Sequence, residues 1–245
     1  MKKIIPVLII SIFITTDLFA QDSGYFDAPF GGGGGFTPGF IFPDVSPLNN
    51  ILPPEFPKLS NKMIFTTGGT GFIYIGVIKY LRIGGGGFGG STSEMIDSPL
   101  DNFRREVRYS IGGGDFSVEY TIPFIRTFGI SVGTMIGGGS IDVQIYKNRG
   151  YFSWNDLTNE FGNNSSQSEN ISRTITGTYW LVSPMINIDI PVYRFVAVRI
   201  GAGYQFSFGE NWSIENDQEL NNVPSSFNGK GFYLQSGIFL GFFAF

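Results

Sequence analysis

The sequence contains no cysteine and no histidine among its 245 residues. Without cysteine there are no disulfides, thiolate metal sites or cysteine nucleophiles, and without histidine the commonest general base and metal ligand is missing. A Ser-His-Asp triad is therefore impossible. Since the sequence has no other recognisable catalytic constellation, we predict that the protein is not an enzyme and holds no metal and no cofactor.

Charged residues are also few, at 15% of the chain, and acidic residues outnumber basic ones by 20 to 16. A net acidic chain is poorly suited to binding nucleic acid. After residue 20, no apolar run reaches the roughly 18 residues that indicate a membrane-spanning helix. Any crossing of a membrane must therefore be made by strands closed into a barrel.

The first twenty residues have the pattern of a secretory signal peptide. Lys2 and Lys3 precede an apolar run over residues 4–15, and Leu-Phe-Ala ending at Ala20 forms a small-residue cleavage site. Cleavage after Ala20 removes two lysines and Asp17, which leaves 14 basic and 19 acidic residues. We predict one domain over residues 21–245, a size that barrels commonly reach undivided.

Glycine and aromatic residues are abundant, with 35 glycines, 26 phenylalanines and 11 tyrosines. This composition suits tightly curved strands with aromatic bands that face lipid. The last nine residues, G-I-F-L-G-F-F-A-F, form an aromatic, β-prone segment in which Phe239, Phe243 and Phe245 share one face. An exported chain with this ending resembles the small β-barrel proteins of Gram-negative outer membranes, whose last strand carries an assembly signal.

The resemblance implies an all-β fold, a transmembrane antiparallel up-and-down β-barrel in the outer membrane of a Gram-negative bacterium. It also implies that Phe239, Phe243 and Phe245 form the assembly signal. The implied partners are outer-membrane lipid, lipopolysaccharide and the barrel-assembly machinery, and the implied oligomeric state is a monomer. No family of known activity is matched.

Three short segments share the order apolar strand, Gly or Pro, then Lys or Arg. They predict tight periplasmic hairpins around Gly76, Pro123 and Pro191. The longer polar connections, typical of extracellular loops, lie at 96–103, 149–170 and 209–231. The strands between these turns and loops are predicted at 63–76, 80–95, 104–122, 128–148, 171–190, 195–208 and 232–245.

These seven strands imply an eighth, because single-chain bacterial barrels have even strand counts. We place it at about 28–42, with an outer loop over 43–62. This segment shows no alternation of apolar and polar side chains, because five of its residues are consecutive glycines, and Pro38 has no N–H to donate to a neighbouring strand. The alternative is that residues 28–62 form a partial plug in the lumen.

Alternation along the strands predicts which side chains face inward. In 195–208, apolar residues from Val196 to Phe208 occupy one face and polar residues such as Gln205 the other, the pattern of a lipid-facing barrel strand. Four charged residues oppose apolar neighbours near the periplasmic turns and are predicted to form a lumenal ion-pair cluster, namely Arg82, Glu119, Asp189 and Arg199.

Two glycine triads interrupt this alternation in the strands 104–122 and 128–148. Apolar residues change parity across each triad, and folding the hairpin about residue 125 pairs Gly113 with Gly137. We predict a bulge in each strand that restores the apolar face to lipid. The predicted bulge residues are Gly112, Gly113, Gly114, Gly137, Gly138 and Gly139. The alternative is that the missing side chains hollow out a lumenal pocket.

The sequence leaves three functions open. The one it favours is a barrel with a largely closed lumen and a structural or surface-interaction role. The alternative is a narrow channel or carrier for small or apolar molecules. An outer-membrane enzyme is the third and the least favoured, since no residue set selects a reaction.

Overall fold

The computed structural model describes residues 31–60, 63–98, 101–123, 128–149, 170–193 and 195–243. The predicted signal peptide and Phe245 lie outside the described residues. Among the described residues, no helix is long and apolar enough to cross a membrane.

Ten strands and one short helix make up the described chain. The strands are β1 Gly31–Phe36, β2 Gly39–Pro43, β3 Ile64–Tyr74, β4 Leu81–Ser98, β5 Phe103–Thr121, β6 Gly129–Asn148, β7 Ile171–Tyr193, β8 Val196–Ile214, β9 Gln218–Glu219 and β10 Gly231–Phe243. The helix α1, Ser46–Ile51, lies between β2 and β3.

The strands form one antiparallel sheet that closes on itself. β10 pairs with β8 on one side and with β1 and β2 on the other, and β1 and β2 both pair with β3. β1 and β2 therefore act as one interrupted strand, while the two-residue β9 pairs only with the end of β8. The ring has eight strands in up-and-down order, which confirms the predicted fold.

The first wall strand is interrupted at Thr37 and Pro38. Pro38 has no N–H to donate, but its carbonyl accepts a hydrogen bond from the Ser236 N–H at 2.9 Å. The Thr37 N–H donates to the Gly68 carbonyl, also at 2.9 Å. Hydrogen bonding is therefore maintained across the interruption, and residues 31–43 belong to the barrel wall.

The exterior of the barrel is apolar, and the charged side chains buried in the barrel lie on its inner face. In β8, Ile200 and Phe206 are 53% and 46% exposed, whereas Arg199 and Gln205 are 3% and 2% exposed. The same alternation occurs in β10, where Leu240 points outward. Such an arrangement reverses that of a soluble protein and is typical of a barrel surrounded by lipid.

The two ends of the barrel differ in the length of their connections. β3 and β4, β5 and β6, and β7 and β8 are joined by short connections at one end, which in outer-membrane barrels faces the periplasm. At the other end, β4 reaches Ser98 and β8 reaches Ile214, so the predicted loops 96–103 and 209–231 are too long. The polar residues there join the sheet through pairs such as Asp97 with Arg104, whose Nε lies 2.7 Å from Asp97 Oδ1.

The structure corrects the predicted bulges at the glycine triads. The β4–β5 and β5–β6 ladders run without a register shift, and Gly113 lies opposite Gly139 rather than Gly137. Tyr109 and Val143, which the bulges would turn toward lipid, are 0% exposed. The bulge assignment is therefore wrong for Gly112, Gly113, Gly114, Gly137, Gly138 and Gly139.

The physical reason is that the apolar residues beyond the triads pack inside the barrel, in one buried cluster that includes Val107 and Ile141. The outward positions between them carry polar side chains instead, such as Ser110 and its partner Asp142. A register shift occurs in the β7–β8 ladder, close to Gly209, whose φ of +67° is a conformation that L side chains rarely adopt.

Candidate functional site

Four charged side chains meet in the lumen near the periplasmic end, and we call them the charged layer: Arg82, Glu119, Asp189 and Arg199. Arg82 of β4 lies directly opposite Glu119 of β5, and Asp189 of β7 lies directly opposite Arg199 of β8. Strand alternation turns all four inward, where their exposure ranges from 0% to 3%. The structure thus brings together every residue of the predicted cluster.

The charged layer is a closed network rather than two separate pairs. Arg82 Nη1 lies 2.7 Å from Asp189 Oδ2, and Arg82 Nη2 lies 2.5 Å from Glu119 Oε2. Arg199 Nε lies 2.6 Å from Asp189 Oδ1, and its Nη1 lies 3.5 Å from Glu119 Oε1. Each arginine therefore contacts both acids, and the four charges sum to zero.

Neutral side chains complete the hydrogen bonding of the charged layer. The Ser131 hydroxyl and the Asn187 amide both donate to Glu119 Oε2, at 2.9 and 3.0 Å. The Gln235 amide donates to Asn187 Oδ1 at 2.9 Å. A buried ion pair is stable only when its remaining donors and acceptors are also satisfied, and these three residues contribute to that condition.

Aromatic rings pack against both arginines. The Phe72 ring centroid lies 4.5 Å from the Arg82 guanidinium carbon and 4.9 Å from that of Arg199. Phe239 lies 4.5 Å from the Arg199 guanidinium carbon and is 2% exposed, so its ring faces the lumen. Phe239 therefore packs in the barrel interior. The backbone of Phe243 pairs with Gly31, and Phe245 lies outside the described residues.

The extracellular mouth is filled by apolar side chains from the connection between β2 and β3, which we call the cap. Its buried members are Val45, Leu48, Leu52 and Leu59, at 1–6% exposure. They join one apolar cluster with lumenal residues of β5 and β6, such as Tyr109. Phe227, from the connection between β9 and β10, stacks on Trp212 with ring centroids 4.8 Å apart.

Several lumenal glycines make room for large side chains from other positions. A Cβ atom at Gly139 would lie 2.6 Å from the Tyr179 ring, and one at Gly203 would lie 2.4 Å from the Tyr233 hydroxyl. A Cβ atom at Gly133 would lie 2.8 Å from the side chain of Glu119. These glycines are therefore required by packing inside a narrow barrel, whose interior is just wide enough for side chains.

Ion pairs also occur on the extracellular rim, at the tip of the β4–β5 hairpin. Arg105 donates to the Asp101 carboxylate and holds the pKa of that carboxyl well below its usual range. A hydrogen bond from Arg104 likewise lowers the pKa of Asp97. The Phe103 ring lies 4.5 Å from Lys147 Nζ.

The barrel is a closed ring of eight strands with an apolar exterior and an ion-paired layer of charged side chains in its lumen. The chain has the fold of a small outer-membrane β-barrel, and its apolar exterior is suited to contact with lipid. No protein-family model matches the sequence, and no curated protein matches it.

Solved structures similar to this barrel are outer-membrane or surface proteins. Neisserial surface protein A is 9% identical, with a TM-score of 0.48 over 87% of this chain and 97% of its own. OprG from Pseudomonas aeruginosa is 10% identical, with a TM-score of 0.45 over 90% and 99%. Ail of Yersinia pestis, solved in complex with a heparin analogue, is 10% identical, with a TM-score of 0.41 over 87% and 97%. Such likeness describes architecture and carries no argument about function.

The sequence predicted the cap only as part of the alternative in which residues 28–62 form a partial plug, and it did not predict the neutral partners of the charged layer. The cap had a signal, because Val45, Leu48 and Leu52 are spaced as one apolar face in a segment otherwise predicted as an outer loop. Ser131 and Asn187 had none, because polar residues alternate inward at many positions and their pairing depends on the stagger between strands.

Proposed function

We propose that this outer-membrane barrel does not conduct ions or solutes, and that its role is structural or is exerted at its extracellular surface. The observation that supports this proposal most strongly is the closure of the lumen at two levels. The charged layer occupies the periplasmic half, and the cap fills the extracellular mouth. The space enclosed by eight strands is narrow enough for side chains to fill. Here side chains block it at two levels, one in the periplasmic half and one at the extracellular mouth.

The composition of the lumen also supports a role without catalysis. In and beside the charged layer, Glu119, Asp189 and Ser131 are groups of the kind that general acid-base or nucleophilic chemistry would use. Each is already engaged with Arg82 or Arg199. We further propose that the chain is inserted by the barrel-assembly machinery and acts as a monomer.

Planar-bilayer recording tests the closed lumen. We expect wild-type protein, refolded and shown to be inserted by a heat-dependent gel shift, to give no current steps above those of the empty bilayer. An open control replaces residues 45–59 with a Gly-Ser linker and all four charged-layer residues with serine, and it should conduct. Reproducible current steps from the wild type would contradict the proposal and support the channel alternative.

A further inference from the structure

A cavity lies in the lumen between the charged layer and the cap. Its volume is about 50 Å³, and its lining includes Asp115, Thr70, Tyr233 and Gln235. A water molecule needs about 10–15 Å³ of such volume, so the cavity has room for roughly three to five waters. It is therefore large enough for one small ion with part of its water shell and too small for most organic ligands.

The cavity has an unmatched negative charge. Asp115 lies in β5 between Gly86 of β4 and Gly137 of β6. Both lumenal arginines already bind Glu119 and Asp189, and among the described residues no basic group pairs with Asp115. The charged group that acts on it is Glu119, which has the same sign. An isolated carboxylate in a poorly hydrated lumen is unfavourable unless a proton or a cation neutralises it.

The cavity is also lined by hydroxyl groups that lack partners. Thr70 Oγ1 and the Tyr233 hydroxyl are buried and form no hydrogen bond with the described residues. Tyr233 is 9% exposed. Buried polar groups in native proteins are rarely left unsatisfied, so these oxygens point to a ligand or to ordered water.

The two residues opposite Asp115 on the neighbouring strands are glycines that cannot carry a side chain. A Cβ atom at Gly86 would lie 2.5 Å from the Thr70 methyl group, and one at Gly137 would lie 2.0 Å from the Gly114 carbonyl oxygen. Both strands that flank Asp115 are thus restricted to glycine at the positions next to its side chain. The packing that requires glycine here also keeps the carboxylate accessible to the cavity.

We propose that the lumenal cavity binds a small monovalent cation, which neutralises Asp115 and is coordinated in part by the hydroxyls of Thr70 and Tyr233. Oxygen ligands suit hard cations. The charge of the site favours a monovalent ion, because one carboxylate lines the cavity and the described residues contain no group of three acidic ligands placed to hold a metal. One bound ion brings the summed charge of Asp115 and the charged layer to zero.

The experiment measures thermal unfolding of the full barrel in detergent with NaCl, KCl or N-methyl-D-glucamine chloride at equal ionic strength. We expect Na⁺ or K⁺ to raise the unfolding midpoint of the wild type above its value in N-methyl-D-glucamine. Asp115→Asn should weaken the apparent affinity for the ion by at least tenfold. Asp142→Asn, which removes a carboxylate that faces outward, is the matched control and should retain the wild-type response.

Thr70→Val provides a second variant that removes one oxygen with little change of shape, and it should lower the apparent affinity severalfold. Diffraction from crystals containing Tl⁺ should show an anomalous peak in the cavity beside Asp115. Two results would overturn the proposal: the same midpoint in all three salts, or a response that persists in Asp115→Asn. The first of these would show that Asp115 is kept protonated or solvated by water alone.

Discussion

At the scale of single residues, the charged layer illustrates what could be predicted from sequence. An arginine that faces lipid near the bilayer midplane costs about 2–4 kcal/mol. Alternation with apolar neighbours therefore predicts that the side chains of Arg82 and Arg199 point into the lumen. Which acid each arginine contacts could not be predicted, because the answer depends on the stagger of eight strands. The structure shows shared contacts, with Arg82 bridging Glu119 and Asp189.

This sharing leads to a prediction for stability. Glu119→Gln leaves two buried arginines facing one acid, and breaking such a pair typically costs about 3–5 kcal/mol. Arg82→Met combined with Glu119→Gln leaves the neutral Arg199–Asp189 pair and should cost less than the single change. Urea unfolding in liposomes measures both, with Asp97→Asn on the exposed rim as a control expected to leave stability nearly unchanged. Additive losses in the double variant would contradict the coupled network.

Substitutions of strand glycines should change stability by different amounts, depending on whether the glycine faces the lumen or the outside of the barrel. A side chain at lumenal Gly139 would collide with the Tyr179 ring, whereas nothing lies within 4 Å of a Cβ at outward-facing Gly89. We expect Gly139→Ala to destabilise the barrel by about 1–3 kcal/mol through overpacking. Gly89→Ala should change stability by no more than about 0.5 kcal/mol. Equal losses in unfolding experiments would contradict the packing explanation.

At the scale of elements, most strands were placed correctly from sequence, but the faces of the extracellular halves of β5 and β6 were not. The prediction assumed that apolar residues face lipid along the whole strand, and Tyr109 and Val143 do not. They are lumenal because the cap makes the extracellular part of the lumen apolar. A local pattern cannot reveal this, since the residues that create the apolar interior come from a distant connection.

Spin labels test the corrected faces of these two strands. Labels at Val118 and Ile130 should report lipid, since both positions alternate with buried lumenal residues. Labels at Tyr109 and Val143 should be protected from lipid-soluble relaxation agents, because both native side chains are fully buried. If all four labels report lipid, the bulges predicted at the glycine triads are present and the corrected faces are wrong.

The tip of the β4–β5 hairpin should resist acid. Arg105 lowers the pKa of the Asp101 carboxyl, so its ionised form is favoured in the folded state. A lowered folded-state pKa stabilises the tip above the unfolded value of about 3.9, and this contribution is lost only as pH falls through the lower, folded value. A nitroxide at Ser98 should therefore remain equally ordered from pH 7 to pH 4. Asp101→Asn should increase its mobility throughout that range.

At the scale of the whole molecule, the closed eight-strand ring was predictable, because alternating strands and connections of unequal length constrain the same architecture. The use of the lumen was less predictable. In the final strand, β10, the Phe239 ring packs on Arg199 in the lumen, and the strand continues beyond Phe239 to Phe243. Phe239, Phe243 and Phe245 therefore need not serve one purpose.

Assembly experiments can separate packing by Phe239 from recognition of the terminal residues. Phe239→Ala removes a ring that is 2% exposed, so it should destabilise the folded barrel by about 3–5 kcal/mol, whether the protein is refolded or isolated from cells. Removing Ala244 and Phe245 should reduce the amount that reaches the outer membrane but leave the stability of refolded protein unchanged. Membrane fractionation and urea unfolding measure the two effects. Normal delivery of the truncated chain would remove the assembly role from Phe245, and unchanged stability of Phe239→Ala would show that the ring is not part of the lumenal packing.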